Sequence, residues 1–135
     1  MTVQQISIFL ENRPGQLAAI CRTLAAICRT LAKAGVNIVT LSLADTADFG
    51  IVRMIVDDHV RGAKVLADAG FAVRETEVVT ATVRNAPGGM AELMEKFDAA
   101  GVDIEYSYAY ALGNGKEAIL VFRFKDNAKA LAALG

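Results

Sequence analysis

One turn occurs twice in this 135-residue chain, and that repeat limits the fold more than any other feature. The stretch Glu11-Asn12-Arg13-Pro14-Gly15-Gln16-Leu17 returns as Arg84-Asn85-Ala86-Pro87-Gly88-Gly89-Met90. Before each copy runs an alternating segment, Gln5 to Leu10 and Val79 to Arg84, with the period of a half-buried strand. After each comes a helical run. Pro14 and Pro87 suit the first helical position, where a missing N–H costs nothing and the fixed φ already matches a helix. Arg13 and Ala86 precede proline, are pushed out of the α region and suit the non-helical cap position. Such a turn points free N–H groups outward at the positive end of a helix dipole, a place for a carboxylate.

The turns are the fixed points of a longer repeat, since Gly35-Val36-Asn37-Ile38 matches Gly101-Val102-Asp103-Ile104 in the same order. In the first copy a strand from Val3 to Leu10 leads into a helix from Pro14 to about Ala34. A second strand, Asn37 to Ala44, turns at Asp45-Thr46-Ala47-Asp48 into a third, Phe49 to Val56. Asp58 caps a helix to Ala69, and Phe71 to about Glu77 is a fourth strand. In the second copy the strand Val78 to Arg84 leads to a helix from Pro87 to Ala100. Strands Asp103 to Leu112 and Lys116 to Phe124 follow, joined at the hairpin signal Gly113-Asn114-Gly115, and Asp126 opens a last helix.

The order βαββαβ predicts an α+β, ferredoxin-like fold: two tandem modules, residues 1–77 and 78–135, each an antiparallel sheet covered on one face by helices. No flexible linker separates the copies, so the modules are expected to be locked together. The second copy stops where the first enters its fourth strand. A module lacking its final strand has an unpaired edge, which favours a dimer or a natural chain longer than this one.

The first helix carries surplus sequence. Leu17-Ala18-Ala19-Ile20-Cys21-Arg22-Thr23 is repeated identically as Leu24 to Thr30. Seven residues turn an α-helix by about 700°, within about 20° of two whole turns, so Leu17, Ile20, Leu24, Ile27 and Leu31 keep one stripe while the helix lengthens by ~10 Å. Cys21 and Cys28 are too far apart along it for a disulfide and read as core thiols.

Composition excludes several partner classes. The chain is 54% hydrophobic and 21% charged with a formal net charge of -1, and its basic residues are scattered among nearly as many acids, so no nucleic-acid face is expected. No apolar run spans a bilayer and no signal segment opens the chain, which reads as cytoplasmic with no membrane partner. Asp57-Asp58-His59 reads as a strand end and helix cap rather than a metal or acid–base cluster, because adjacent residues cannot all converge on one ion. No catalytic residue, metal site or cofactor is expected. Tyr106, Tyr108 and Tyr110 alternate onto one sheet face, a packing or dimer surface.

These residues resemble the ACT domain family of small regulatory amino-acid-binding modules. The match is Asn12-Arg13-Pro14-Gly15-Gln16-Leu17 with Gly35-Val36-Asn37-Ile38, then Asn85-Ala86-Pro87-Gly88-Gly89-Met90 with Gly101-Val102-Asp103-Ile104. It spans nearly the whole chain and implies a stand-alone tandem ACT protein, non-enzymatic, acting as a homodimer or on a regulated enzyme. The resemblance also implies side-by-side pairing of modules, with a free amino acid bound where the first turn of one faces the second-strand opening of its neighbour. Ligand-facing candidates are then Asn12, Arg13, Pro14, Gly15, Gln16 and Leu17 with Val36, Asn37 and Ile38. The second set is Asn85, Ala86, Pro87, Gly88, Gly89 and Met90 with Val102, Asp103 and Ile104. Two other readings stand beside it: a scaffold or oligomerisation module with no small ligand, and a small ferredoxin-like enzyme. The enzyme reading lacks a nucleophile beside a base.

Overall fold

The computed structural model describes residues 1–11, 17–45 and 49–135. In chain order the elements are β1 (Thr2–Glu11), α1 (Leu17–Lys33), β2 (Ile38–Asp45), β3 (Phe49–Val56), α2 (His59–Asp68), β4 (Val73–Arg84), α3 (Gly89–Ala100), β5 (Ile104–Ala111), β6 (Glu117–Phe124) and α4 (Asn127–Leu134). The strands are antiparallel, in the order β2-β3-β1 in the first half of the chain and β4-β6-β5 in the second. The chain divides into two compact units, Gln4–Thr76 and Met1–Val3 with Glu77–Gly135.

In the unit Gln4–Thr76, strand register decides what is buried. Ile6 pairs with Met54 and Ile8 with Val52, and directly paired residues share a face. These four side chains form the core with Ile27 and Leu31 of α1 and Leu66 of α2. The spacing of Leu24, Ile27 and Leu31 places one helical stripe on that core, with Leu24 half-buried at its margin. Asp58 caps α2 by accepting the Arg61 N–H at 3.1 Å. The turn after α1 is a Schellman motif: the Val36 N–H donates to the Leu31 carbonyl at 3.0 Å and buries Val36. At the outer flank, the Phe9 N–H donates to the Ala72 carbonyl.

The other unit repeats this plan with an aromatic core. Val79 pairs with Phe122 and Ala81 with Leu120, and the face they share is closed by Leu93 and Phe97 of α3 and Ala130 of α4. Phe97 meets Phe122 and Phe124 edge-on at centroid distances of 5.2 and 4.8 Å, geometry that adds to the area each ring buries. Asp126 caps α4 through the Lys129 N–H, as Asp58 caps α2. Val102 donates to the Phe97 carbonyl, the counterpart of Val36 and Leu31.

Four expectations change. Gly88 is the cap of α3 and Gly89 its first residue, so Ala86 is not the cap and Pro87 lies before the first helical position. The segment read as two strands, Phe71 to Glu77 and Val78 to Arg84, is one continuous strand, β4, because no residue between Val73 and Arg84 breaks it. Cys21 and Cys28 are exposed rather than core thiols. With Ile27 and Leu31 as the buried stripe, a residue one position after Ile27 is turned ~100° away from the sheet. The flank of β4 that a last strand would cover also has a partner: the Met1 carbonyl accepts the Thr80 N–H at 2.8 Å. The helix from Pro14 is described from Leu17 onward; Pro14 to Gln16, and Thr46 to Asp48 of the first hairpin turn, lie outside the described residues. Register places Tyr106, Tyr108 and Tyr110 opposite Arg123, Val121 and Ile119, so the three tyrosines do share one face.

Candidate functional site

The second turn forms a tight junction between β4 and α3. Gly88 adopts a left-handed conformation, φ 87°, and caps α3 with no side-chain hydrogen bond. A side chain is disfavoured there because Cβ would crowd the backbone at positive φ. Gly89 is buried, and a Cβ on it would overlap the Arg84 carbonyl oxygen. The two glycines therefore let the helix start close against its strand while its first turn keeps no side-chain cap, the arrangement that attracts anions. Asn85 anchors the turn from the other side: its N–H donates to the Lys116 carbonyl at 2.8 Å and its Nδ2 to the Gly115 carbonyl at 3.2 Å. Ala86, Pro87 and Met90 are exposed at the same junction. Asn114 holds the facing hairpin by accepting the Lys116 and Glu117 N–H groups on Oδ1.

Of the first turn, Asn12, Arg13, Pro14, Gly15 and Gln16 lie outside the described residues, and Leu17 opens α1. The packed ends of the two helices set their correspondence. Leu31 and Ile27 match Phe97 and Leu93, which puts Arg22 and Thr23 where the second copy has Gly88 and Gly89. Both lie inside α1.

The second-strand openings are split between core and surface. Val36 is buried and Val102 packs against the aromatic core, whereas Asn37, Asp103 and Ile104 are exposed. Ile38 packs partly on its core. Asn37 is held by a reciprocal pair: its N–H donates to Asp57 Oδ1 at 2.9 Å, and its carbonyl accepts the Asp57 N–H at 3.0 Å. The Asp103 carbonyl accepts from the Lys125 N–H, and its carboxylate lies 3.8 Å from Lys125 Nζ. Within the second module, the turn at Asn85 to Met90 and the opening at Val102 to Ile104 sit at opposite ends of the 12-residue α3, ~18 Å apart at 1.5 Å per residue. One module does not bring them together.

What the module does bring together is a cavity of about 300 Å³ beside the start of α3. Thr82, Val83 and Arg84 of β4 line one side, and Gly89, Glu92, Leu93 and Lys96 of α3 the other. Arg84 Nη2 donates to Glu92 Oε1 at 2.6 Å across it. Arg84, Glu92 and Lys96 were not among the residues singled out from the turn motif. The signal lay in spacing: Gly89, Glu92, Leu93 and Lys96 recur at three and four residues, one helix face above the strand that ends in Arg84. Elsewhere, Asp58 serves as a cap and His59 Nδ1 lies 2.7 Å from Glu75 Oε1, on a different part of the surface.

This βαββαβ geometry has relatives among known proteins. Protein BT0572 from Bacteroides thetaiotaomicron is 38% identical, with a TM-score of 0.85 over 99% of this chain and 87% of that one. The regulatory subunit of aspartate kinase from Thermus thermophilus shares the fold at 15% identity and a TM-score of 0.62, covering 99% of this chain and 95% of its own. Its counterpart from Thermus flavus does so at 14% and 0.58, covering 99% and 93%. No curated protein matches. Among the described residues no helix is long and apolar enough to cross a membrane. The ACT domain pair family matches residues 1–133, and with its two ferredoxin-like modules in tandem the chain belongs to that family.

Proposed function

We propose that this protein is a non-enzymatic regulatory module of the cytoplasm that binds a free amino acid where its modules pair with those of a second copy, and so adjusts a regulated enzyme. The observation that carries this reading is the start of α3: a helix turn with no side-chain cap, opened by Gly88 and Gly89, beside a cavity with charges of both signs. Such a site suits a zwitterion, whose carboxylate goes to backbone N–H groups and whose ammonium goes to an acidic or carbonyl oxygen. The Asn85, Ala86, Pro87, Gly88, Gly89 and Met90 turn forms one wall, and an opening such as Asn37–Ile38 or Asp103–Ile104 from a paired module supplies the other. The first turn, Asn12 to Leu17, is the second candidate. A ligand between modules binds only the paired arrangement and so shifts that equilibrium, which couples occupancy to assembly.

A thermal-shift panel against the twenty amino acids tests this. A ligand at 100 times its dissociation constant adds about 2.7 kcal/mol, visible as a clear rise in Tm. The rise is expected with one or a few amino acids and is lost in Met90→Glu. That substitution keeps the helix, because an acid in the first turn complements the dipole, but repels an incoming carboxylate. No rise with any amino acid would favour the scaffold reading, in which pairing needs no ligand. One observation supports that alternative: the sheet-edge strand β2 exposes Val39, Leu41 and Leu43 at 42–43%, an apolar edge suited to a second copy.

A further inference from the structure

The cavity beside α3 carries an unbalanced charge. Glu92 and Lys96 are one turn apart on the same helix face, the spacing at which they could neutralise each other. Glu92 instead binds Arg84, at 2.6 Å. Lys96, which lines the same cavity, has no ion-pair partner among the described residues. The cavity thus holds one satisfied ion pair and one ammonium without a counter-ion among the described residues.

We infer that the cavity selects an acidic amino acid, a ligand with two carboxylates and one ammonium. This rests on the proposed amino-acid-binding role and narrows the ligand class. The second oxygen of Glu92 accepts the ligand ammonium, and the α-carboxylate goes to the backbone N–H groups at the start of α3, where the remaining N–H groups of Arg84 join them. Lys96 lies ~6 Å further along the helix and takes the side-chain carboxylate. A ligand whose charged ends are separated by two or three carbons spans that distance. A neutral amino acid leaves Lys96 without a counter-ion, and a basic one opposes it. The cavity, at about 300 Å³, lies at the small end of the range for ligand sites.

Titration calorimetry at low salt with L-glutamate, L-aspartate, their amides L-glutamine and L-asparagine, and the amine-free glutarate separates the possibilities. The acids are expected to bind at least about tenfold more tightly than the amides, the scale of one charge-assisted hydrogen bond. Lys96→Gln is expected to erase that difference by weakening the acids alone, and glutarate to bind more weakly than glutamate. The inference is overturned by amides that bind as well as acids, by acid affinity unchanged in Lys96→Gln, or by glutarate equal to glutamate. A neutral or basic amino acid that binds and is lost in Met90→Glu overturns this inference and leaves the proposed function standing. Binding of no amino acid overturns both.

Discussion

Compared end to end, the first helices of the two modules agree where they meet the core and disagree where they leave the preceding strand. Leu31 and Ile27 of α1 occupy the places of Phe97 and Leu93 of α3, and both helices close with the same Schellman turn. At the other end, α3 starts on Gly88 and Gly89 against the Arg84 carbonyl, while the matching Arg22 and Thr23 are interior residues of α1. The surplus heptad is therefore absorbed away from the packed end. Burial fixes helix register, and an insertion is displaced toward the end that the core does not hold. The cavity chemistry diverges in parallel, since Glu92 and Lys96 align with Ala26 and Thr30, and Thr30 spends its hydroxyl on the Ala26 carbonyl.

The largest test of this contrast is a matched pair of alanine substitutions. Gly89→Ala forces a methyl group against a backbone carbonyl that cannot yield without moving β4, and should cost about 2–3 kcal/mol in a urea melt. Thr23→Ala, at the equivalent position inside α1, places a methyl group on a position that already carries a Cβ and should cost no more than about 1 kcal/mol, the scale of one side-chain hydrogen bond partly offset by alanine's helix propensity. Equal losses at both positions would mean that the alignment from the packed ends is wrong.

Where the modules agree, so should their variants. Asp58→Ala and Asp126→Ala each remove a carboxylate that accepts one N–H at a helix start, from Arg61 and Lys129 respectively. Each should cost about 1 kcal/mol. A difference larger than that between the two would break the equivalence of the second helices.

The smallest effect lies at a position the copies do not share. Asp68 on α2 holds Lys64 at 2.8 Å, whereas the residue aligned with Asp68 is Ala133. The hydrogen bond from Lys64 to Asp68, reinforced by its charge, raises the Lys64 pKa. A raised folded pKa means the contribution is complete below the unfolded value and is lost as pH rises through the folded one. Asp68→Asn should lower the Lys64 pKa in an NMR titration while leaving melting at neutral pH nearly unchanged, because both groups are exposed.

The fold was legible because its signals are local and repeated. Gly35 and Gly101, the caps Asp58 and Asp126, and strand alternation each act over a few residues, and the repeat set the frame; the start of α3 fell two residues after Pro87 because Gly88 takes the cap. The exposure of Cys21 and Cys28 was misread because the heptad stripe was judged by apolar character; the register that settles it comes from contacts of Ile27 and Leu31 with β1 and β3. The cavity was partly legible. Gly88 and Gly89 stood out as a turn motif, but the link from Arg84 to Glu92 depends on how closely α3 lies on β4, which follows from the bare Cα of Gly89 rather than from any charge pattern.

The hydrogen bond between Met1 and Thr80 also has a meaning in time. Their sequence separation is 79, and a ribosome adding about 5–20 residues per second delivers the second partner roughly 4–16 s after the first. Throughout that interval the leading edge of β1 is a strand without its neighbour, exposed to any other nascent or misfolded chain. The unit built around the three phenylalanines thus joins residues made at the two ends of that interval.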